Sequence, residues 1–404
     1  MIKKNISYSL LANITRLLLG FIIFFYLSSI FRLNEFGIYI YIMSLSGFIS
    51  ILIDYGFNLS ILNDVSKKPE MIMSYFYNIL YNKIFLTIIV IIFFIIYISL
   101  TDYNFLLEFI IFALSAIIQS FAQFISSLYK AINKFDKDFY YAFLNNILIL
   151  LLVIIFSNNL NLFSVSIIYL SSKLIGLTYL LIILFRDMKS NNVKKSFNLN
   201  LIKSNFKFAL TMIIGGFFLT IDIPIMKNIL DVESLAIYGL GMKIFISLII
   251  IADVVNGSFH PKLSKMFDTN FIEFKILFKK LIIFMTFIGL VISLCIYLTS
   301  EHIIKYFFEE KFYPLIDLIP LFTLALIIRY STFSMGTYLT IIGLQKTRTY
   351  ILLFVFLLHI VFNIIFQNKF GIEGAIYSLI VSFSLLALLN SFFIFRRQNV
   401  RTSL

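Results

Sequence analysis

Charge is scarce in this chain. Only 13% of its 404 residues are Asp, Glu, Lys or Arg, about half the share of a soluble domain. The apolar residues, 61% of the total, come in long blocks. Together these exclude a soluble globular protein and point to a polytopic membrane protein, for which length does not set a domain count. Cysteine occurs once, at Cys295 inside an apolar run, so the chain cannot close a disulfide on itself and offers little for redox or metal chemistry. The three histidines, His260, His302 and His359, are scattered. No Walker A loop, HExxH or GxSxG motif is present. No catalytic residue, metal site or bound cofactor is therefore expected, and the chain does not read as an enzyme.

What is present is a series of apolar runs. A span needs about 20 mostly apolar residues, and twelve stretches qualify: 8–30, 36–57, 79–100, 104–128, 140–157, 162–185, 206–229, 235–257, 277–299, 314–342, 349–366 and 372–395. Those at 140–157 and 349–366 are short, and 314–342 is long enough to tilt or break. Met1-Ile2-Lys3-Lys4 leads into the first run without a small-residue cleavage site, which reads as an uncleaved first span.

The basic residues order these spans. With the amino terminus inside, 24 lysines and arginines fall in cytoplasmic segments, Lys83, Lys130 and Arg348 among them. Five fall outside: Arg32, Lys227, Lys305, Lys311 and Lys369. That split is a strong positive-inside signal with both termini cytoplasmic. The net charge of +13 is thus topological, and no nucleic-acid partner is implied.

The most polar stretch, Arg186 to Lys207, divides six spans from six. The expected organisation is an amino-terminal six-helix lobe over 1–190, a cytoplasmic linker over 191–205 and a carboxy-terminal lobe over 206–404. The halves echo each other at an offset of 199 residues: Asn34-Glu35-Phe36-Gly37-Ile38-Tyr39 aligns with Glu233-Ser234-Leu235-Ala236-Ile237-Tyr238, and Asp54 with Asp253. This pattern suggests parallel repeats about an axis along the membrane normal, with a site between them.

Four cations remain inside apolar runs: Arg16, Lys173, Lys243 and Arg329. A charge at the bilayer centre costs about 3 kcal/mol or more, so such residues face a bundle interior or a wet cavity and by default mark a pathway. Arg16 and Arg329 lie mid-span. Lys173 lies near it, and Lys243, about 12 Å into its span at helical rise, could snorkel. They suit a phosphate- or carboxylate-bearing substrate, arginine through its planar fork. The competing reading is a structural ion pair with Asp222, Asp253 or Asp54.

Polar stripes follow helical spacing: Asn13, Arg16 and Gly20; Ser115, Gln119 and Gln123; Thr211, Gly215 and Asp222; Arg329, Thr332 and Gly336. Asn13, Gln119 and Gln123 could line a cavity or join helices. Asp222, with Pro224 and Gly215-Gly216 in the same span, suits a moving gate or a cation site, and equally a fixed kink. Asp54 and Asp253 lie near cytoplasmic span ends. His359 reads as a hydrogen-bonded interhelical residue with Asn363 one turn on.

Arg32-Leu33-Asn34-Glu35-Phe36-Gly37-Ile38-Tyr39, then Asp54-Tyr55-Gly56-Phe57, and Gly371-Ile372-Glu373-Gly374-Ala375 at the last span resemble bacterial polysaccharide flippases of the Wzx type. These belong to the multidrug/oligosaccharidyl-lipid/polysaccharide (MOP) exporter superfamily. Asn34 stands where that pattern usually has Gly. The resemblance implies an all-α protein of the bacterial cytoplasmic (inner) membrane, with two six-helix lobes around a central cavity. It implies transfer of an undecaprenyl-pyrophosphate-linked oligosaccharide repeat unit, of the O-antigen or lipopolysaccharide kind, to the outer leaflet. Partners would be the lipid-linked oligosaccharide, membrane lipids and other polysaccharide-assembly proteins, and a proton or sodium gradient could drive the step. Only Arg16 is placed as the cavity cations of that family often are. The alternatives are a multidrug antiporter or a lipid II flippase of the same superfamily. A polysaccharide polymerase would want a larger outer loop than Glu301 to Tyr313 provides.

Overall fold

The structure is a computed structural model, and it describes residues 2–66, 72–101, 105–187 and 199–402. Fourteen α-helices follow one another among the described residues. They are α1 (Ile2–Ile30), α2 (Leu33–Asp54), α3 (Phe57–Val65), α4 (Ile72–Thr101), α5 (Leu106–Ala131), α6 (Phe135–Ile155), α7 (Leu162–Asp187), α8 (Leu199–Phe218), α9 (Asp222–Ile229), α10 (Val232–Thr269), α11 (Phe271–Phe307), α12 (Leu315–Ile341), α13 (Gln345–Phe370) and α14 (Ile372–Thr402). Helices satisfy their own backbone polar groups, as a lipid-embedded chain requires. Eleven are long and apolar enough to cross a membrane, and α8, bent by 59° between Phe206 and Phe208, brings the total to twelve. Their outer faces are apolar: Ile88, Ile92, Phe93 and Ile96 on α4 and Ile283, Phe287 and Leu298 on α11 are all exposed. A surface of that kind belongs against lipid.

The spans run close to the expected limits, with physical differences at their ends. Helices α6 and α13 are 21 and 26 residues long, longer than their apolar runs, because polar residues fill their first turns. Helix α12 is unbroken despite Pro320, which sits near its start. The seventh span is two helices: α8 ends at Phe218 and α9 begins at Asp222. Pro224 therefore lies in the first turn of α9, where its missing N–H costs nothing. The break precedes the proline, so Pro224 does not cause it.

By contacts the chain forms two compact units, Met1–Phe217 and Phe218–Leu404. Of the expected linker, 191–198 lies outside the described residues. Helix α8 groups with the first unit. There Phe217 packs on Phe48 with ring centroids 4.2 Å apart. Gly56 has φ +71°, and a Cβ on it would come within 2.8 Å of Phe208 and of the Ala209 backbone nitrogen. Tyr55 and Gly56 both adopt left-handed backbone and turn α2 into α3. In the second unit, a Cβ on Gly374 would collide with the backbone carbonyl of Phe366, so the glycine lets α13 and α14 pack backbone to backbone. Tyr39 and Tyr238, 199 residues apart, are each the seventh residue of their helix, and each is buried with its hydroxyl on a polar partner: Tyr169 for Tyr39, Asp222 for Tyr238.

Candidate functional site

In the first unit two cations gather around one carboxylate. Arg16 of α1 donates through Nη2 to Asp138 Oδ1, and Ser126 of α5 donates to the same oxygen at 2.5 Å. Lys130 Nζ lies 3.9 Å from Asp138 Oδ2. The Asp138 side chain is 5% exposed and that of Arg16 32%, so the acid is enclosed while the guanidinium still opens outward. Asn13, one turn before Arg16, accepts a 3.4 Å hydrogen bond from it. Lys173 of α7 is buried and has no hydrogen bond or ion pair among the described residues. The charge acting on it is Arg16, of like sign. Nearby polar atoms Ser172 Oγ and Asn145 Oδ1 also lack partners among the described residues. Gln119 and Gln123 are half-buried on α5.

A second ion pair in this unit is Lys83 with Asp54, 3.5 Å apart. Lys83 is fully buried, donates to Ser120 at 2.8 Å and lies over the rings of Phe121 and Phe124. It is not a loop residue: α4 starts at Ile72, before the apolar run that suggested a span, and carries Lys83 into the bundle.

In the second unit Asp222 is the centre of a buried network. Tyr238 donates to its Oδ2. Oδ1 pairs with His359 Nε2 at 2.9 Å and accepts from Asn363 Nδ2 at 2.5 Å. Ser382 lies 3.0 Å from His359 Nδ1, and Asn363 also donates to Ser378 at 2.6 Å. Gln367 donates to Asn363 Oδ1. The ring of Phe218 stacks on His359 with centroids 4.7 Å apart. The break between α8 and α9 places Asp222 at a helix amino terminus, where negative charge is favoured.

Arg329 of α12 has another environment. Its guanidinium lies 4.7 Å from the Phe333 ring centroid and 5.2 Å from that of Phe383. Its Nε has no hydrogen-bond partner, and among the described residues no acid is within ion-pair distance. Asp253 is exposed on α10 and acts on Arg329 only at longer range. Lys243 is half-buried on α10.

A family model described as polysaccharide biosynthesis protein matches residues 2–267. The chain belongs to this family. Arg32 to Tyr39 and Asp54 to Phe57 fall within the matched residues of this polysaccharide biosynthesis family. Among solved structures, an inward-facing multidrug-resistance MATE transporter of the MOP superfamily superimposes with a TM-score of 0.73 at 13% identity, over 98% of this chain and 99% of the other. The lipid II flippase MurJ, in an inward closed conformation, gives a TM-score of 0.73 at 15% identity, over 96% and 87%. A MOP-superfamily transporter from Pyrococcus furiosus, described as having a binding pocket of reversed polarity, gives 0.58 at 13% identity, over 96% and 93%. No curated protein matches in sequence. This family member thus has the two-lobed, all-helical MOP transporter fold and is a multi-pass membrane protein.

Within that fold the expected residues divide into three groups. Arg16 and Asn13 come together with an acid that span limits had left out, because Asp138 sits in the first turn of α6. Asp222 joins His359 and Asn363 rather than an arginine, and Asp54 is committed to Lys83. Arg329 and Lys173 stay without acids. Lys83, Lys130 and Arg348 were counted as loop cations; Arg348 lies in the polar first turn that precedes an apolar run, Lys130 in the polar last turn that follows one, and Lys83 inside the run 79–100 itself.

Proposed function

We propose that the protein is a flippase carrying an undecaprenyl-pyrophosphate-linked oligosaccharide repeat unit from the cytoplasmic to the outer leaflet of the bacterial inner membrane by alternating access. The observation that carries this reading is the pair of embedded cations without acids, Lys173 and Arg329. In a low-dielectric interior an uncompensated cation is costly, and it is retained where an anionic substrate supplies the missing charge. Membership of the polysaccharide biosynthesis family points to the glycan, and the MOP fold points to transport rather than catalysis. Arg16, half-open beside Asp138, adds to the anion-binding set, and Lys243 is its fourth member. Gln119, Gln123 and Asn13 line the path in this proposal. A proton or sodium gradient is the proposed energy source, with Asp222 as the coupling acid at the α8–α9 break and Asp54 and Asp253 as secondary acids. The lipid II flippase reading is favoured by the resemblance to MurJ and uses the same headgroup chemistry.

The test is surface glycan in cells whose own copy has been deleted. Arg16→Ala and Arg329→Ala are each expected to abolish surface polysaccharide while leaving the amount of membrane protein unchanged. If Arg16 only neutralises Asp138, the double variant Arg16→Ala/Asp138→Ala regains the glycan; a binding role leaves the double variant defective. Normal glycan in both single variants overturns the proposal. Growth restored to cells lacking their lipid II flippase supports the second reading.

A further inference from the structure

We infer that Arg348 and Arg329 together form a diphosphate-binding site within the second unit. This inference rests on the flippase reading and adds to it a residue that the charge count had placed in a loop. On α12, Arg329, Phe333, Gly336 and Thr340 follow at i, i+4, i+7 and i+11 and share one face. The chain reverses through Ile342, Gly343 and Leu344, and Arg348, in the first turn of α13, folds back along that face. Its Nη1 donates to Thr340 Oγ1 at 2.8 Å. Its Nε passes so close to Gly336 that a Cβ there would lie 3.2 Å from it. The glycine in the stripe is therefore the seat of the second guanidinium.

Neither arginine has an acid within ion-pair distance among the described residues, and Arg348 acts on Arg329 as a like charge. An arginine carries five N–H donors; Arg348 spends one on Thr340, and Arg329 leaves its Nε unspent. Phe333 and Phe383 take the faces of the Arg329 guanidinium. Stacking of this kind holds the cation and leaves its edge donors free. Two half-buried guanidinia with unpaired donors and no counter-charge of their own form an incomplete site, and an anion completes it. Gly336 lies seven residues beyond Arg329, about 10 Å along the helix. Two guanidinium forks reaching one face offer donors to an anion with two charged groups, the diphosphate of the proposed substrate, where a single phosphate would need only one. Asp253, the acid that acts on Arg329, stands too far off to fill the gap and disfavours a looser, unpaired anion.

The diphosphate could belong to a lipid headgroup or be free in solution. Purified protein in phosphatidylcholine nanodiscs, titrated calorimetrically with farnesyl pyrophosphate and separately with inorganic pyrophosphate, separates these sources. Farnesyl pyrophosphate is expected to bind. Arg348→Gln and Arg329→Gln are each expected to weaken it about tenfold or more, the loss of a charge-assisted contact. Arg348→Lys is expected to restore it only in part, because lysine lacks the fork. Lys305→Gln, an exposed cation paired with Glu301, serves as the control and is expected to bind like the parent. Circular dichroism and gel-filtration elution identify folded variants. Inorganic pyrophosphate binding with the same dependence on Arg348 supports the site as one for the headgroup alone. Unchanged affinity for both probes in folded Arg348→Gln overturns the inference and leaves the flippase reading standing. Surface glycan that persists when the whole protein is deleted overturns the flippase reading itself.

Discussion

A buried charge is stable only with its partner, and the first unit contains a clear instance. Lys83 is fully enclosed and its charge is met by Asp54, Ser120 and two aromatic faces. Removing one member of such a pair leaves the other uncompensated, at about 3–5 kcal/mol, whereas replacing both by apolar groups of similar volume is often close to neutral. Lys83→Met is therefore expected to lower the unfolding midpoint in detergent clearly. The double variant Lys83→Met/Asp54→Leu is expected to recover most of that loss. A double variant as unstable as the single one would show that Asp54 has work apart from the pair. Arg329 offers the opposite case, since its cost is not met by an acid. The same logic that makes Lys83 structural supports the binding role proposed for Arg329. Asp222 stands between them: its carboxylate accepts from Tyr238 of α10 and Asn363 of α13 and pairs with His359 of α13, which ties the α8–α9 break to both helices.

At the scale of elements, a broken span and a close helix contact have different causes. The seventh span breaks before Asp222, and Pro224 follows in the first turn of α9. Pro224→Ala is expected to change stability by less than about 0.5 kcal/mol, because no backbone donor is lost at a first-turn position. A large destabilisation would return the break to the proline. Gly374→Val is expected to cost about 1–3 kcal/mol or more as overpacking, since its Cβ meets the Phe366 backbone rather than a side chain that can move. Thermal unfolding in detergent measures both. These residues also mark how far the sequence could be read. Twelve spans and their order were legible, because about 20 apolar residues in a row have one use. Gly56 and Gly374 were legible as motif residues but not as contacts: their roles depend on Phe208 and Phe366, which periodicity does not connect to them. Asp138 and Arg348 were misplaced because hydropathy ends a span where polar residues begin, whereas a helix runs on until its backbone is capped. The partner of Arg16 lies in such an extra turn, so that ion pair was hidden where the chain was read as loop.

Transport to one leaflet needs a fixed orientation, and orientation is a property of the whole molecule. The basic residues fall 24 to 5 between the two sets of loops, and moving Lys83 and Arg348 into helices leaves that imbalance intact. The positive-inside rule then places the start of α13 in the cytoplasm and the turn after α11 outside. The single cysteine makes this measurable. After Cys295→Ser, an exposed residue on α11, one new cysteine can be introduced on each side: Glu309→Cys after α11 and Lys346→Cys at the start of α13, both at exposed positions. A membrane-impermeant maleimide is expected to label Glu309→Cys in intact cells and Lys346→Cys only after permeabilisation. The reverse pattern would put the Arg348 turn on the outer face. A diphosphate site there would meet the product of transfer rather than the substrate, and the protein would have to work in the opposite direction. The expected pattern would put Arg348 at the cytoplasmic face, where the proposed lipid-linked diphosphate would first arrive, with Arg329 further along the same helix face.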